Sequence, residues 1–121
     1  MAKLMIVDDS NFMRATVRKA LEAAGHEIVA EADNGEDAVA LYAKHRPECT
    51  TMDIVMPNGN GIEALTKIID FDPDARVIII TALGHEPMIR KALAAGAMSF
   101  VIKPAEEDEI LEAVDAALMG M

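Results

Sequence analysis

Five polar residues stand out because their side chains together could carry out chemistry at phosphorus. They are Asp8, Asp9, Asp53, Thr81 and Lys103, and each lies at the end of a short apolar run. Carboxylates that pack together repel one another and favour either proton uptake or a bound cation. Because the set offers oxygen ligands without Cys or His, Mg²⁺ is the expected cation. A carboxylate beside Mg²⁺ can attack phosphorus to give an aspartyl-phosphate, and an ammonium and a hydroxyl can stabilise the transferring group.

Taken singly, each of these residues has an ordinary structural interpretation. An Asp after a strand is most often a turn former or a helix cap. Thr81 alone would be a capping residue, and Lys103 alone would be a solvated surface charge. The combination is more specific than its parts, because all five residues lie at the ends of predicted strands and packing requires none of them.

The apolar runs predict five β-strands that alternate with five helices. They comprise residues 4–7, 28–30, 49–52, 77–80 and 100–102. Their consecutive apolar or β-branched positions are typical of strands covered on both faces. This order predicts a three-layer, doubly wound α/β fold with a five-stranded parallel sheet. Since ligands of such sheets bind outside the carboxyl ends of the strands, the polar residues should meet at one edge.

Helix boundaries follow from local start and stop residues. Asn34 with Asp37 resembles an N-cap pair that opens the second helix, and Pro87 fits the first turn of the fourth. The acidic residues 106–109 favour the N-terminus of the fifth helix, and we interpret them as a solvated first turn. The residues that predict the ends of the first four helices are Gly25, Pro47, Pro73 and Gly96.

Composition limits the classes of function. The 121 residues are 52% hydrophobic and 26% charged, which predicts one folded domain over residues 1–121 and excludes a disordered chain. A formal net charge of −10 predicts repulsion from nucleic acid and from anionic membranes. The sequence has neither an apolar run near the roughly 18 residues of a membrane span nor a visible signal peptide. The single Cys49 excludes an intramolecular disulfide, so we expect a cytoplasmic protein.

In these residues and their spacing, the sequence resembles the receiver domains of two-component response regulators, especially the stand-alone chemotaxis (CheY-like) type. The resemblance extends over essentially the whole chain. The segments that carry it are Val7-Asp8-Asp9-Ser10, residues 52–57 with Gly61, Thr81-Ala82, residues 95–97 and Lys103-Pro104. It implies a flavodoxin-like fold with strand order 2-1-3-4-5.

The resemblance also implies a role for each candidate residue. Asp53 would be the phosphoacceptor. Asp9 and Asp53 would bind Mg²⁺ together with the main-chain carbonyl of Val55. Asp8 would act mostly through water or by placing Asp9. Lys103 would pair first with Asp53 and then with the phosphoryl group, and it would precede a cis proline.

Two further residues would connect the phosphoryl group to a partner. Thr81 would move to hydrogen-bond a phosphoryl oxygen. Phe100 occupies the aromatic switch position and, having no hydroxyl, could act only by burial of its ring. The output face implied by the resemblance comprises the fourth helix, the fifth strand and the fifth helix, with Met88, Ile89 and Lys91 on or near it.

The resemblance assigns the phosphate lifetime to the positions two residues after the phosphoacceptor and two after the threonine. These are Val55 and Leu83, and neither side chain can orient a water by hydrogen bonding, so we expect slow self-dephosphorylation. A departure from relatives is Gly59, where they usually carry a large apolar residue. Together with Gly61 it predicts a loosened start of the third helix.

The expected function is a phosphorylation-operated switch rather than an enzyme in the usual sense. A histidine kinase would donate the phosphoryl group to Asp53, and a downstream chemotaxis protein would read the new conformation, with a phosphatase as a further candidate partner. A phosphate sink or relay is the alternative. A Mg²⁺-dependent phosphohydrolase is the strongest rival class, but such enzymes usually carry a second Asp where this chain has Val55. An FMN carrier is weaker, since the Asp-rich first loop would repel phosphate.

Overall fold

Strands and helices alternate along the computed structural model, which describes residues 2–56, 59–82 and 86–120. The strands are β1 (Lys3–Val7), β2 (Glu27–Ala32), β3 (Cys49–Met52), β4 (Val55–Met56), β5 (Gly59–Asn60), β6 (Val77–Thr81) and β7 (Ser99–Ile102). The helices are α1 (Asn11–Ala23), α2 (Gly35–His45), α3 (Gly61–Phe71), α4 (Glu86–Ala94) and α5 (Glu107–Leu118). The five predicted apolar runs lie within β1, β2, β3, β6 and β7.

The five long strands form one parallel sheet in the order β2-β1-β3-β6-β7. The expected order was 2-1-3-4-5, and the observed strand numbers differ from it after β3. They differ because the chain forms a two-stranded antiparallel ribbon, β4–β5, between β3 and α3, which the apolar pattern did not predict. Each of the later sheet strands is added beside its predecessor, so β6 lies next to β3 and β7 next to β6.

The sheet separates two apolar cores, as a doubly wound fold requires. Along β1, Met5 and Val7 face the core formed with α2, α3 and α4, whereas Leu4 and Ile6 face the core formed with α1 and α5. Strands that bury both faces must be apolar at consecutive positions. Cys49 is buried in the second core, where burial raises the pKa of its thiol to about 12.

Most helix ends lie where the start and stop residues predicted them. The Asn34 side chain accepts the N–H of Asp37 at 2.8 Å and caps α2. Pro87 is the second residue of α4. The acidic run opens α5, and the N–H of Glu106 donates to Glu109 Oε1 at 3.2 Å.

Within the described ranges, none of the helices combines the length and the hydrophobicity that a membrane span requires.

Candidate functional site

Backbone hydrogen bonds place the candidate residues at the carboxyl edge of the sheet. The N–H of Asp8 donates to the last residue of β2 at 3.0 Å, and the N–H of Asp53 donates to the last residue of β1 at 2.9 Å. The N–H of Lys103 donates to the carbonyl of Thr81 at 2.8 Å. The parallel ladder therefore continues one residue beyond the strands and brings these residues to neighbouring positions, as the rule on strand ends predicts.

Lys103 bridges two of the carboxylates. Its Nζ lies 2.7 Å from Asp8 Oδ2 and 3.0 Å from Asp53 Oδ2. The exposed fractions of these side chains are small: 15% for Lys103, 6% for Asp8 and 8% for Asp53. Burial on its own lowers the pKa of Lys103, but its hydrogen bonds and charge interactions with both carboxylates outweigh this and leave the pKa above its ordinary value. Lys103 is therefore an ammonium at neutral pH.

The three acidic residues form a cluster with the composition of a divalent metal site. One carboxylate oxygen each from Asp8, Asp9 and Asp53 lies within 4.8 Å of the others. Three carboxylates and the Lys103 ammonium give −3 + 1 = −2, which a divalent cation would neutralise. Mg²⁺ prefers oxygen ligands and usually retains several waters. These residues fit that preference.

Asp9 differs from its two neighbours in exposure. Asp8 and Asp53 are buried, whereas Asp9 is exposed. Asp8 is held by the N–H of Ser10, which donates to its Oδ1 at 2.9 Å. Asp9 is therefore the member of the cluster with the greatest exposure to solvent.

The loop after Asp53 is positioned by close backbone contacts. The N–H of Val55 donates to Asp53 Oδ1 at 3.1 Å, and β4 pairs with β5 before α3 begins. The N–H of Gly61 donates to the carbonyl of Ile54 at 2.6 Å. A Cβ at Gly61 would lie 2.2 Å from the carbonyl oxygen of Asp53.

Residues 59–61 make close backbone contacts at the start of α3. Gly59 is paired with Met56 in the ribbon, and Gly61 permits the backbone of α3 to approach that of Asp53. That two glycines loosen the start of α3 stays a prediction.

The predicted switch residues lie on two neighbouring strands, β6 and β7. Thr81 ends β6 and is buried. Phe100 lies beside Ile79 in the sheet and packs, half-buried, against the core that also contacts Met88 of α4. The 103–104 peptide bond is cis, as the resemblance implied.

Of the two residues to which the phosphate lifetime was assigned, the structure describes Val55. The Val55 side chain is half-exposed at the edge of the site. Leu83 lies outside the described residues.

Arg14 belongs to the site, and the sequence analysis missed it. Its Nη1 donates to the main-chain carbonyl of Asp8 at 2.6 Å, and its Nε lies 3.3 Å from Glu31 Oε1. The available signal was its spacing, since a residue in the second turn of a helix that starts just after Asp9 can reach back over the first turn.

Known proteins resemble this chain over nearly its whole length. Residues 4–115 match the family described as the response regulator receiver domain. The chain is 46% identical over 118 residues to Protein CcdB of Bacillus subtilis, and the match covers 98% of both chains. It is 44% identical over 116 residues to the chemotaxis protein CheY of the same organism, covering 96% of this chain and 97% of that relative.

Solved structures give the same likeness. A crystal structure of a CheX–CheY–BeF3–Mg²⁺ complex from Borrelia burgdorferi superposes with a TM-score of 0.92 at 37% identity, covering 94% of this chain and 87% of that chain.

Proposed function

This chain belongs to the response regulator receiver domain family, and we propose that it is a chemotaxis-type signalling switch phosphorylated on Asp53. The observation that carries the proposal is the cluster of three carboxylates at the carboxyl edge of the sheet, two of which are bridged by the Lys103 ammonium. The 44% and 43% identity with two CheY proteins, over nearly the full length of this chain, supports the same function.

The proposed reaction is phosphoryl transfer from a phosphohistidine of a kinase. An oxygen of the Asp53 carboxylate attacks phosphorus, the P–N bond breaks, and the electron pair stays on the departing imidazole, which takes up a proton. Mg²⁺, held by Asp9, Asp53 and the Val55 carbonyl, would supply positive charge to the transferring group.

The chain's own side chains would prepare and stabilise this transfer. Asp8 holds the Lys103 ammonium at the site, and Lys103 offsets charge on Asp53 and then on the phosphoryl oxygens. The Thr81 hydroxyl would donate to one of those oxygens. The half-exposed Val55 side chain cannot orient a water, which supports a slow loss of the phosphoryl group.

The proposed readout is a change in protein binding. Movement of Thr81 would alter the space available to Phe100 of β7, which packs against the same apolar core as Met88 of α4. The α4, β7 and α5 surface would then bind its downstream target. The CheX–CheY complex from Borrelia burgdorferi is a relative with a protein partner.

Acetyl phosphate with Mg²⁺, followed by intact-mass measurement, tests the proposal. The wild-type protein should gain one phosphoryl group, and Asp53→Asn should gain none. Asp72→Asn is the matched control, since it changes an acid of α3's C-terminal region without touching the site, and it should be phosphorylated like the wild type.

Three results would contradict the proposal. They are no mass increase in the wild type, an increase in Asp53→Asn, or loss of the increase in Asp72→Asn. Release of many equivalents of phosphate per protein from a small phosphate ester would instead favour the phosphohydrolase. A phosphorylated protein that returns its phosphoryl group to a kinase faster than it binds a downstream target would favour the sink or relay.

A further inference from the structure

Arg14 makes three contacts that together reach from α1 to β2. Its Nη1 donates to the carbonyl oxygen of Asp8 at 2.6 Å, and its Nη2 donates to Asn11 Oδ1. Its Nε lies 3.3 Å from Glu31 Oε1. The Arg14 side chain is only 16% exposed, so the guanidinium is a packed part of the structure rather than a free surface charge.

The hydrogen bond from Arg14 to the Asp8 carbonyl acts on the backbone between the first two residues of the three-carboxylate cluster. β1 ends at Val7, so the carbonyl of Asp8 lies beyond the paired residues of that strand. A peptide group is planar, so the carbonyl of Asp8 and the N–H of Asp9 rotate together. A hydrogen bond that fixes the first therefore fixes the direction in which the backbone of Asp9 leaves the sheet.

Asp9 depends on this support more than Asp8 does. The carboxylate of Asp8 is held by the N–H of Ser10 and by Lys103. Asp9 is exposed, and its carboxylate must still lie within 4.8 Å of those of Asp8 and Asp53. The orientation of the Asp8–Asp9 peptide is therefore the main constraint on where Asp9 offers its oxygen.

Glu31 makes this arrangement compatible with cation binding. An uncompensated guanidinium beside the cluster would oppose a divalent cation by charge repulsion. Glu31 faces Arg14 at 3.3 Å and also pairs with Arg18, so the carboxylate offsets charge and braces the guanidinium from β2. Arg18 shares the Glu31 contact with Arg14 and also pairs with Glu22, but within the described residues it makes no hydrogen bond to Asp8.

We propose that Arg14 is a positioning residue that orients the Asp8–Asp9 peptide and thereby sets the affinity of the three-carboxylate cluster for Mg²⁺. The inference rests on the proposed function, in which Asp9 and Asp53 bind the cation. It predicts that loss of the Arg14 side chain weakens Mg²⁺ binding. Charge alone predicts the opposite change, because removal of a nearby positive charge would by itself strengthen Mg²⁺ binding.

Calorimetric titration with Mg²⁺ on the full chain tests the inference without any phosphoryl transfer. Arg14→Met should weaken Mg²⁺ binding about tenfold, the lower end of the effect of losing support behind a metal ligand. Arg14→Lys keeps the charge but lacks the fork that reaches Asp8 and Glu31 together, and it should also bind Mg²⁺ more weakly than the wild type. Arg18→Met is the matched control and should change the affinity less than about twofold.

The melting temperature without Mg²⁺ separates positioning from general destabilisation. Arg14→Lys and Arg18→Met should melt at similar temperatures in metal-free buffer, while Mg²⁺ should raise the melting temperature less in Arg14→Lys. Equal or tighter binding in both Arg14 variants would overturn the inference, as would an equal loss of affinity in Arg18→Met. If the wild type itself bound no Mg²⁺, the proposed metal site would fail and the inference with it.

Discussion

The site edge and the corner between α2 and α3 both hold carboxylates among donors, but they satisfy them in different ways. In the corner, defined by Tyr42, Arg46, Phe71 and Asp72, the Tyr42 hydroxyl donates to Asp72 Oδ2 at 2.7 Å. Arg46 lies 3.5 Å from the same oxygen, and the N–H of Asp74 donates to Oδ1 at 3.1 Å. One carboxylate thus has several donors.

At the site edge carboxylates outnumber cations, since Lys103 pairs with Asp8 and Asp53 and the Asp9 carboxylate lies in the same cluster. The two regions also differ in what holds them. Side chains hold the corner, including Arg46 stacked 4.8 Å from the centre of the Phe71 ring. The site adds close backbone contacts to its side-chain contacts, among them the approach of Gly61 to Asp53. The corner satisfies its charge internally, whereas the excess negative charge at the site edge is what the proposed cation would offset.

Gly61→Ala should produce the largest effect, because it tests the backbone contact that shapes the site. The added Cβ would lie 2.2 Å from the Asp53 carbonyl oxygen and 2.8 Å from Ile54 Cα, and neither backbone atom can move alone. We expect a loss of about 3 kcal/mol in the free energy of unfolding, in the range of severe core substitutions, measured by urea denaturation.

Gly25→Ala is the control for the general cost of replacing a glycine. Gly25 has φ of +92° and no heavy atom within 4 Å of an added Cβ. Its replacement should cost only the left-handed backbone strain of roughly 1–2 kcal/mol. If both variants lost the same stability, close packing at Gly61 would not be what holds the site.

Asp72→Asn should destabilise the protein by about 1.5–3 kcal/mol, the contribution of hydrogen bonds to a charged group. The substitution removes the charge that faces Arg46 and turns one acceptor into a donor among Tyr42 and Asp74. Thermal and urea unfolding would measure the loss. An unchanged or raised stability would mean that the corner carboxylate is not satisfied in the way its contacts indicate.

Asp53→Asn should have the opposite sign in metal-free buffer and stabilise the protein by roughly 1 kcal/mol, because it removes one of the mutually repelling charges. Mg²⁺ should then raise the melting temperature of the wild type and of Asp72→Asn, but much less that of Asp53→Asn. A metal-free Asp53→Asn protein that is less stable than the wild type would show that Lys103 already balances the cluster, and the contrast between the regions would disappear.

The same contrast separates what the sequence could predict from what it could not. Apolar runs identify strands, and parallel strands bring their ends together, so the meeting of Asp8, Asp53 and Lys103 followed from local patterns. The bridge from Lys103 to Asp8 did not, since it depends on where a long flexible side chain points after a loop.

The sequence pattern also could not predict very short strands or contacts that depend on how elements pack together. The β4–β5 ribbon contains two residues per strand, too few for any periodicity. The Arg14 contact with Asp8 requires the angle at which α1 leaves β1, which packing against β2 and α5 sets. Asp9 remained exposed because consecutive residues after a strand need not share its burial.

The smallest effect at neutral pH concerns Tyr42, whose phenol distinguishes the corner from the site in alkaline solution. Burial and the hydrogen bond to Asp72 raise the pKa of Tyr42 above its ordinary value. In the unfolded chain the phenol ionises near pH 10, so the stability it contributes is complete below that pH and is lost as pH rises through the higher folded pKa. The raised pKa of Lys103 acts in the same direction and the same alkaline range, so loss of stability alone cannot separate the two regions.

Phenolate absorbance can separate them, since the chain has one Tyr and no Trp. The folded protein should form little phenolate at pH 10, and ionisation should coincide with unfolding at higher pH. Asp72→Asn should lower the pKa of Tyr42 without returning it to the ordinary value, because burial is the larger cause. Lys103→Met should leave the phenolate titration of the folded protein unchanged. A phenol that titrates near pH 10 in the folded wild type would show that the Tyr42–Asp72 pair is open to water and that the corner is not the internally satisfied region described above.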